Sequence, residues 1–111
     1  MELNWSGWKK IPAPEVCRQI EGPTGCGVYQ IKNRKTGEFI LFGESKTCLK
    51  RMKSFFPKPY GTGTRNNESK REYILANWPD LEYRTLETET KEDAVKIDRY
   101  LKSLKLHKFN T

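Results

Sequence analysis

Three kinds of side chain in this 111-residue chain are suited to work on a phosphate ester. Arg51 presents a planar fork of donors that matches phosphate oxygens and stays charged at any working pH. On its own it reads equally as a solvated helix arginine. Tyr29 lies in a strand-like run. A free phenol has a pKa of about 10, so Tyr29 would need a neighbouring cation, Arg51 for instance, or a metal-bound water to act as a base at neutral pH. Without such a neighbour it is a tyrosine at the rim of a core. Asp98 follows Ile97 and comes one turn after Ala94, at the margin of an apolar helical stripe. Lys102, four residues on, is its natural ion-pair partner.

A row of cations surrounds the arginine. Lys46, Lys50, Arg51, Lys53, Lys58, Arg65, Lys70 and Arg71 are opposed between residues 46 and 71 by Glu68 alone. The balance from Asp80 to Asp98 is acidic. One side of the domain is therefore expected to be positive and to attract a polyanion through its phosphates.

These side chains need elements to hold them. Residues 27–33 and 38–43 read as two strands, because Val28, Tyr29, Ile31, Phe39, Ile40 and Phe42 favour extended chain. Alternation sends Tyr29 and Ile31 to one face and Val28 to the other. Asn33, Lys35, Thr36 and Gly37 suit a hairpin loop. Gly43 reads as the end of the second strand, where the chain turns into a helix. Leu49, Met52 and Phe56 recur at helical spacing over residues 45–56, which leaves Lys46, Lys50 and Lys53 outward. Residues 57–65 form a Pro- and Gly-rich basic loop, either a substrate contact or a plain connection. A helix capped by Asn66 or Asn67 runs to about Trp78, and residues 81–87 alternate as a third strand. Thr90 and Asp93 resemble a capping box. They open a last helix whose stripe is Ala94, Ile97, Leu101 and Leu104. Ahead of all this, residues 1–24 form an N-terminal extension with a short helix near residues 15–21. Trp5 and Trp8 within it either stack on bases or cover the sheet. The expected fold is α+β: a small three-stranded, mostly antiparallel sheet with flanking helices.

Composition fits one domain of modest core, with 35% hydrophobic and 32% charged residues. No apolar run approaches the roughly 20 residues of a membrane span, and no secretion signal is visible. The net charge is +7 and the pI about 9.4. Cys17, Cys26 and Cys48 are odd in number and form no C-x-x-C pair. They read as reduced thiols of a cytoplasmic protein, and His107, the one histidine, lies too far along the chain from them to suggest zinc.

Gly27-Val28-Tyr29, then Leu41-Phe42-Gly43, then Arg51 in the following helix resembles the signature of the GIY-YIG nuclease superfamily. Asp98-Arg99-Tyr100-Leu101-Lys102, with Lys108-Phe109-Asn110 closing the chain, is similar to the end of the nuclease domain in bacterial excision-repair incision subunits. The resemblance covers residues 25–111. It implies a DNA endonuclease using a single Mg2+ or Mn2+ ion, with RNA left open as substrate. Tyr29 would orient or deprotonate the attacking water. Arg51 would stabilise charge on the phosphorus oxygens, Asp98 would bind the metal, and Asn110 would hold the tyrosine or a substrate oxygen. Lys46, Lys50, Lys53, Lys58, Arg65, Lys70 and Arg71 would grip the backbone. A partner protein or substrate shape would supply any targeting. Three residues depart from the pattern. Leu41 stands where the family has a second tyrosine, Glu44 where some relatives have lysine, and Asp98 where they have glutamate. The alternative is a binding module of the same fold that grips nucleic acid without cutting it.

Overall fold

The computed structural model describes residues 3–54, 56 and 68–110. Four strands, β1 (Lys9–Lys10), β2 (Gly27–Asn33), β3 (Phe39–Ser45) and β4 (Leu81–Glu87), form one sheet in the order β1-β4-β2-β3, all pairs antiparallel. Three helices accompany it: α1 (Cys48–Lys53), α2 (Glu68–Asn77) and α3 (Lys91–Leu104). The sheet thus has one strand more than the three expected. β1 is two lysines long, too short to show alternation. It exists because the outer edge of β4 offers Tyr83 and Glu82 as pairing partners. Ser6 prolongs this cover by exchanging hydrogen bonds with the Thr85 backbone.

The β2–β3 turn follows from its residues. Asn33 Oδ1 accepts from the amides of Lys35 and Thr36 at 2.9 and 3.1 Å. Gly37 takes φ 76°, open to glycine at little steric cost, and donates back to the Asn33 carbonyl. Alternation then divides the sheet. Tyr29, Ile31, Leu41, Leu81 and Tyr83 face a core with Cys48 and Met52 of α1, Ile74 of α2, and Phe56. Val28, Phe42 and Leu86 face Ala94, Ile97 and Leu101 of α3. Of the expected stripe only Leu104, 39% exposed, lies outside this core.

The N-terminal segment joins both layers. Ile11, Cys17 and Ile20 enter the Tyr29 core, and Pro14–Gln19 forms a 3-10 turn rather than an α-helix, with Val16 outward. Trp5 and Trp8 cover the sheet. The Arg84 guanidinium lies 4.3 Å from the Trp5 ring centre and 4.5 Å from that of Trp8. Arg84 Nε donates to Gln30 Oε1 at 2.7 Å, which orients the amide so that its Nε2 donates to His107 Nε2 at 2.9 Å. The His107 proton therefore sits on Nδ1, which is buried without a partner. Burial, and then the Arg84 charge, lower the His107 pKa to about 4. The chain end closes the far edge. Phe109 bridges Leu41 in parallel, and its amide donates to the Ile40 carbonyl at 2.8 Å.

Candidate functional site

Tyr29 and Gly43 are direct cross-strand partners. Gly43 lies inside β3, not at its end, and its role is spatial: a methyl group there would overlap the Tyr29 hydroxyl and Cζ. The buried tyrosine ring lies across the glycine and fills the space its missing side chain leaves. Leu41, two residues earlier on the same face, is fully buried opposite Ile31.

Arg51 stands on α1, the helix whose Cys48 and Met52 pack against this face. That helix is short, and its first amides are held by the loop that precedes β2. Cys48 donates to the Gly25 carbonyl at 3.0 Å and Leu49 to that of Pro23 at 2.8 Å. Ser54 caps the other end, its hydroxyl donating to the Arg51 carbonyl at 2.6 Å. The backbone of Arg51 is thereby fixed, while its Nε is buried without a partner among the described residues. A buried, unpaired guanidinium donor costs free energy unless something arrives to accept from it. Cys48 is packed beside the same loop, and burial raises its thiol to about 12, which leaves it an inert core group.

Asp98 is half-buried on α3 and takes part in no ion pair among the described residues, so the pair with Lys102 is not made. Burial raises its pKa, and the Glu44 carboxylate raises it further, while Lys102, Lys70 and Lys91 pull it down. Asp98 thus lies within the electrostatic reach of β3, α2 and α3 together. Glu44 is itself ion-paired with Lys91, which turns this departure from the family pattern toward α3. Asn110 follows the Phe109 bridge. Its Nδ2 donates to the Lys102 carbonyl at 3.0 Å, and its Oδ1 is buried without a partner among the described residues.

Lys46 and Lys50 are exposed and Lys53 half-exposed. Lys70 and Arg71 stand on the first turns of α2. Lys58 and Arg65, with the rest of the basic loop, lie outside the described residues. The structure therefore assembles Tyr29 with Gly43, and Asp98 with Glu44, Lys91, Lys70 and Lys102, while α1 and the Phe109 bridge bring Arg51 and Asn110 to the borders of β3. Two participants carried little signal in the sequence. Lys91 looked like an ordinary first-turn lysine, and the spatial role of Gly43 needs the β2–β3 register to be seen. Comparison with known proteins gave no matching family model, curated protein or solved structure.

Proposed function

We propose that this chain is a GIY-YIG-type endonuclease that hydrolyses DNA phosphodiester bonds with one bound magnesium or manganese ion. The observation that carries this reading is the Tyr29 ring laid across Gly43, on the sheet face that α1 covers with Cys48 and Met52. The same two motif residues that resemble the family are thus physically interlocked. Tyr29 would orient the attacking water. Arg51 Nε, without a partner among the described residues, would donate to a phosphate oxygen and stabilise charge that builds up on it. Asn110 Oδ1 would take a hydrogen bond from water or substrate hydroxyl.

The donor set suits a single ion completed by water and substrate oxygens. Asp98 offers a half-buried carboxylate without an ion-pair partner among the described residues, and a cation there would offset the Glu44 repulsion. No group of three or more His, Cys, Asp or Glu gathers among the described residues, so an all-protein cage is not what these residues offer. Asp98 would hold the ion, which when bound supplies charge neutralisation and a template for in-line attack.

One observation favours a second reading. Leu41 is fully buried and apolar in the same core as Tyr29, so of the two tyrosines in the family pattern only Tyr29 is present. The fold would then grip nucleic acid without cutting it. Cleavage of supercoiled, linear and branched DNA with magnesium and with manganese separates the two. For the nuclease, Tyr29→Phe removes one oxygen, lowers stability by about 1 kcal/mol and lowers the cleavage rate about 100-fold or more. A wild-type chain that binds DNA and cuts none of these substrates would establish the binding module. Equal cutting by Tyr29→Phe would refute the role of the phenol.

A further inference from the structure

The outer face of α3 carries a second row of cations. Lys96, Arg99 and Lys102 are spaced by three residues, which places them within about 120° of arc and over about 9 Å of helix. All three are exposed. Beyond them, exposed Lys105 and Lys108 continue the positive surface beside Leu106, which is 55% exposed. A shallow groove of about 290 Å3 on this face is lined by Lys91, Glu92, Val95, Lys96 and Arg99.

Three features separate this row from an ordinary solvated face. The sequence of α3 offers two acid–base pairs at the favourable i,i+4 spacing, Glu92–Lys96 and Asp98–Lys102. Neither is formed among the described residues. Lys105 ends the helix at φ 53°, a left-handed position where glycine is the usual and less strained choice, so a cation stands there against a local backbone cost. Asp98, finally, lies about 40° round the helix from Lys102 and within electrostatic reach of Lys70 of α2. The row on α3 therefore begins where the basic surface of α2 meets the candidate site.

We infer that the outer face of α3 is a second phosphate-binding surface, which receives the backbone of a nucleic-acid duplex where it runs on past the site. This rests on the reading of the central basic segment as a nucleic-acid grip and adds the direction in which the duplex leaves. A straight duplex of about 20 base pairs is roughly 70 Å long at 3.4 Å per base pair, twice the 35 Å extent of the domain. It can occupy both surfaces.

The test measures Kd for such a duplex across a salt series, without reference to cleavage. Lys96→Gln/Arg99→Gln/Lys102→Gln should flatten the log–log salt slope by about 2–3 and weaken binding at least about 10-fold at low salt. The control Lys10→Gln/Arg34→Gln/Lys35→Gln removes the same charge from exposed positions on other elements and should weaken binding by less than about threefold. Equal weakening by both variants would reduce the effect to net charge and overturn the surface. So would an unchanged slope in the α3 variant while wild type binds, and so would tighter binding of wild type to phosphatidylserine vesicles than to the duplex. Wild type that fails to bind duplex at low salt would instead remove the parent reading. Should the triple variant melt early, Arg99→Gln alone is read the same way, with a slope change of about 0.9.

Discussion

Gly43→Ala adds one methyl group, and its effect depends on a single contact. The new carbon would overlap the Tyr29 hydroxyl and Cζ, so the ring must swing away from the sheet. Tyr29 is 4% exposed and packed in the core with Ile31, Leu41 and Met52, which leaves it little room to move. Overpacking of this kind costs about 1–3 kcal/mol. Against it stands the gain of about 0.5–1 kcal/mol from replacing a strand glycine by alanine. The net expectation is a loss of about 1–2 kcal/mol, or roughly 4–15 °C in Tm for a domain of this size. Tyr29→Ala alone should cost about 3–5 kcal/mol by opening a cavity. In that background the clash is gone, and Gly43→Ala should become neutral or mildly stabilising. Chemical denaturation of the four proteins therefore gives a coupling energy of at least about 1 kcal/mol, above the additive limit of about 0.5 kcal/mol. Tyr29→Phe should relieve the clash only in part, since Cζ remains. An additive cycle would mean that the ring does not lie over Gly43, and the interlock of the two motifs would fall with it.

Three further expectations concern the groups around the site. Asp98→Asn should abolish divalent-dependent cleavage while duplex binding holds or tightens. Because Glu44 raises Asp98, Glu44→Gln should move the acid limb of the cleavage profile to lower pH, and an unmoved limb would uncouple the two carboxylates. His107 has a folded pKa of about 4, below its unfolded value, so the unfolded chain binds more protons between these two points. Stability should hold above about pH 6.5 and fall by at most about 3 kcal/mol on the way to pH 4. His107→Gln should flatten that stretch of the melting-temperature curve, and retention of the full slope would assign it elsewhere. Lys105→Gly should raise stability by about 0.5–1 kcal/mol by relieving the left-handed lysine, and should weaken duplex binding in the same assay that probes α3. A stabilised variant with unweakened binding would make Lys105 a strained cap and nothing more.

Periodicity made most of the fold legible. The faces assigned to Val28, Tyr29 and Ile31 hold because a strand repeats every two residues and each face here is buried. Thr90 caps α3 as its spacing to Asp93 implied, with the Asp93 amide donating to the threonine oxygen at 3.1 Å. What escaped was long-range. The two-lysine strand β1 has no pattern of its own and is defined by the β4 edge it covers. The Gln30–His107 bond joins residues far apart in the chain, and only the assembled sheet brings them together. Gly43 was visible as a glycine but misread as a turn, because its register against Tyr29 depends on the hairpin and on the bulge near Ile31.

Leu41 shows why the candidate site is arranged around the ends of β3 rather than along its middle. The Leu41 side chain is fully buried opposite Ile31, and its backbone bridges Phe109, which also meets Tyr73 edge-on at 6.0 Å. Burying such a leucine stabilises the fold by about 1.5–3 kcal/mol. A tyrosine in its place would bring a hydroxyl that needs a partner inside the core. The central part of β3 is thus committed to packing. Among the described residues the buried polar atoms without a hydrogen-bond partner are Arg51 Nε, His107 Nδ1 and Asn110 Oδ1. Arg51, Asn110 and Asp98, which makes no ion pair among the described residues, lie on elements that border the strand, α1, the C-terminal segment and α3. Under the proposed reading, a bound phosphate backbone would meet polar groups on these bordering elements and not the apolar centre of β3.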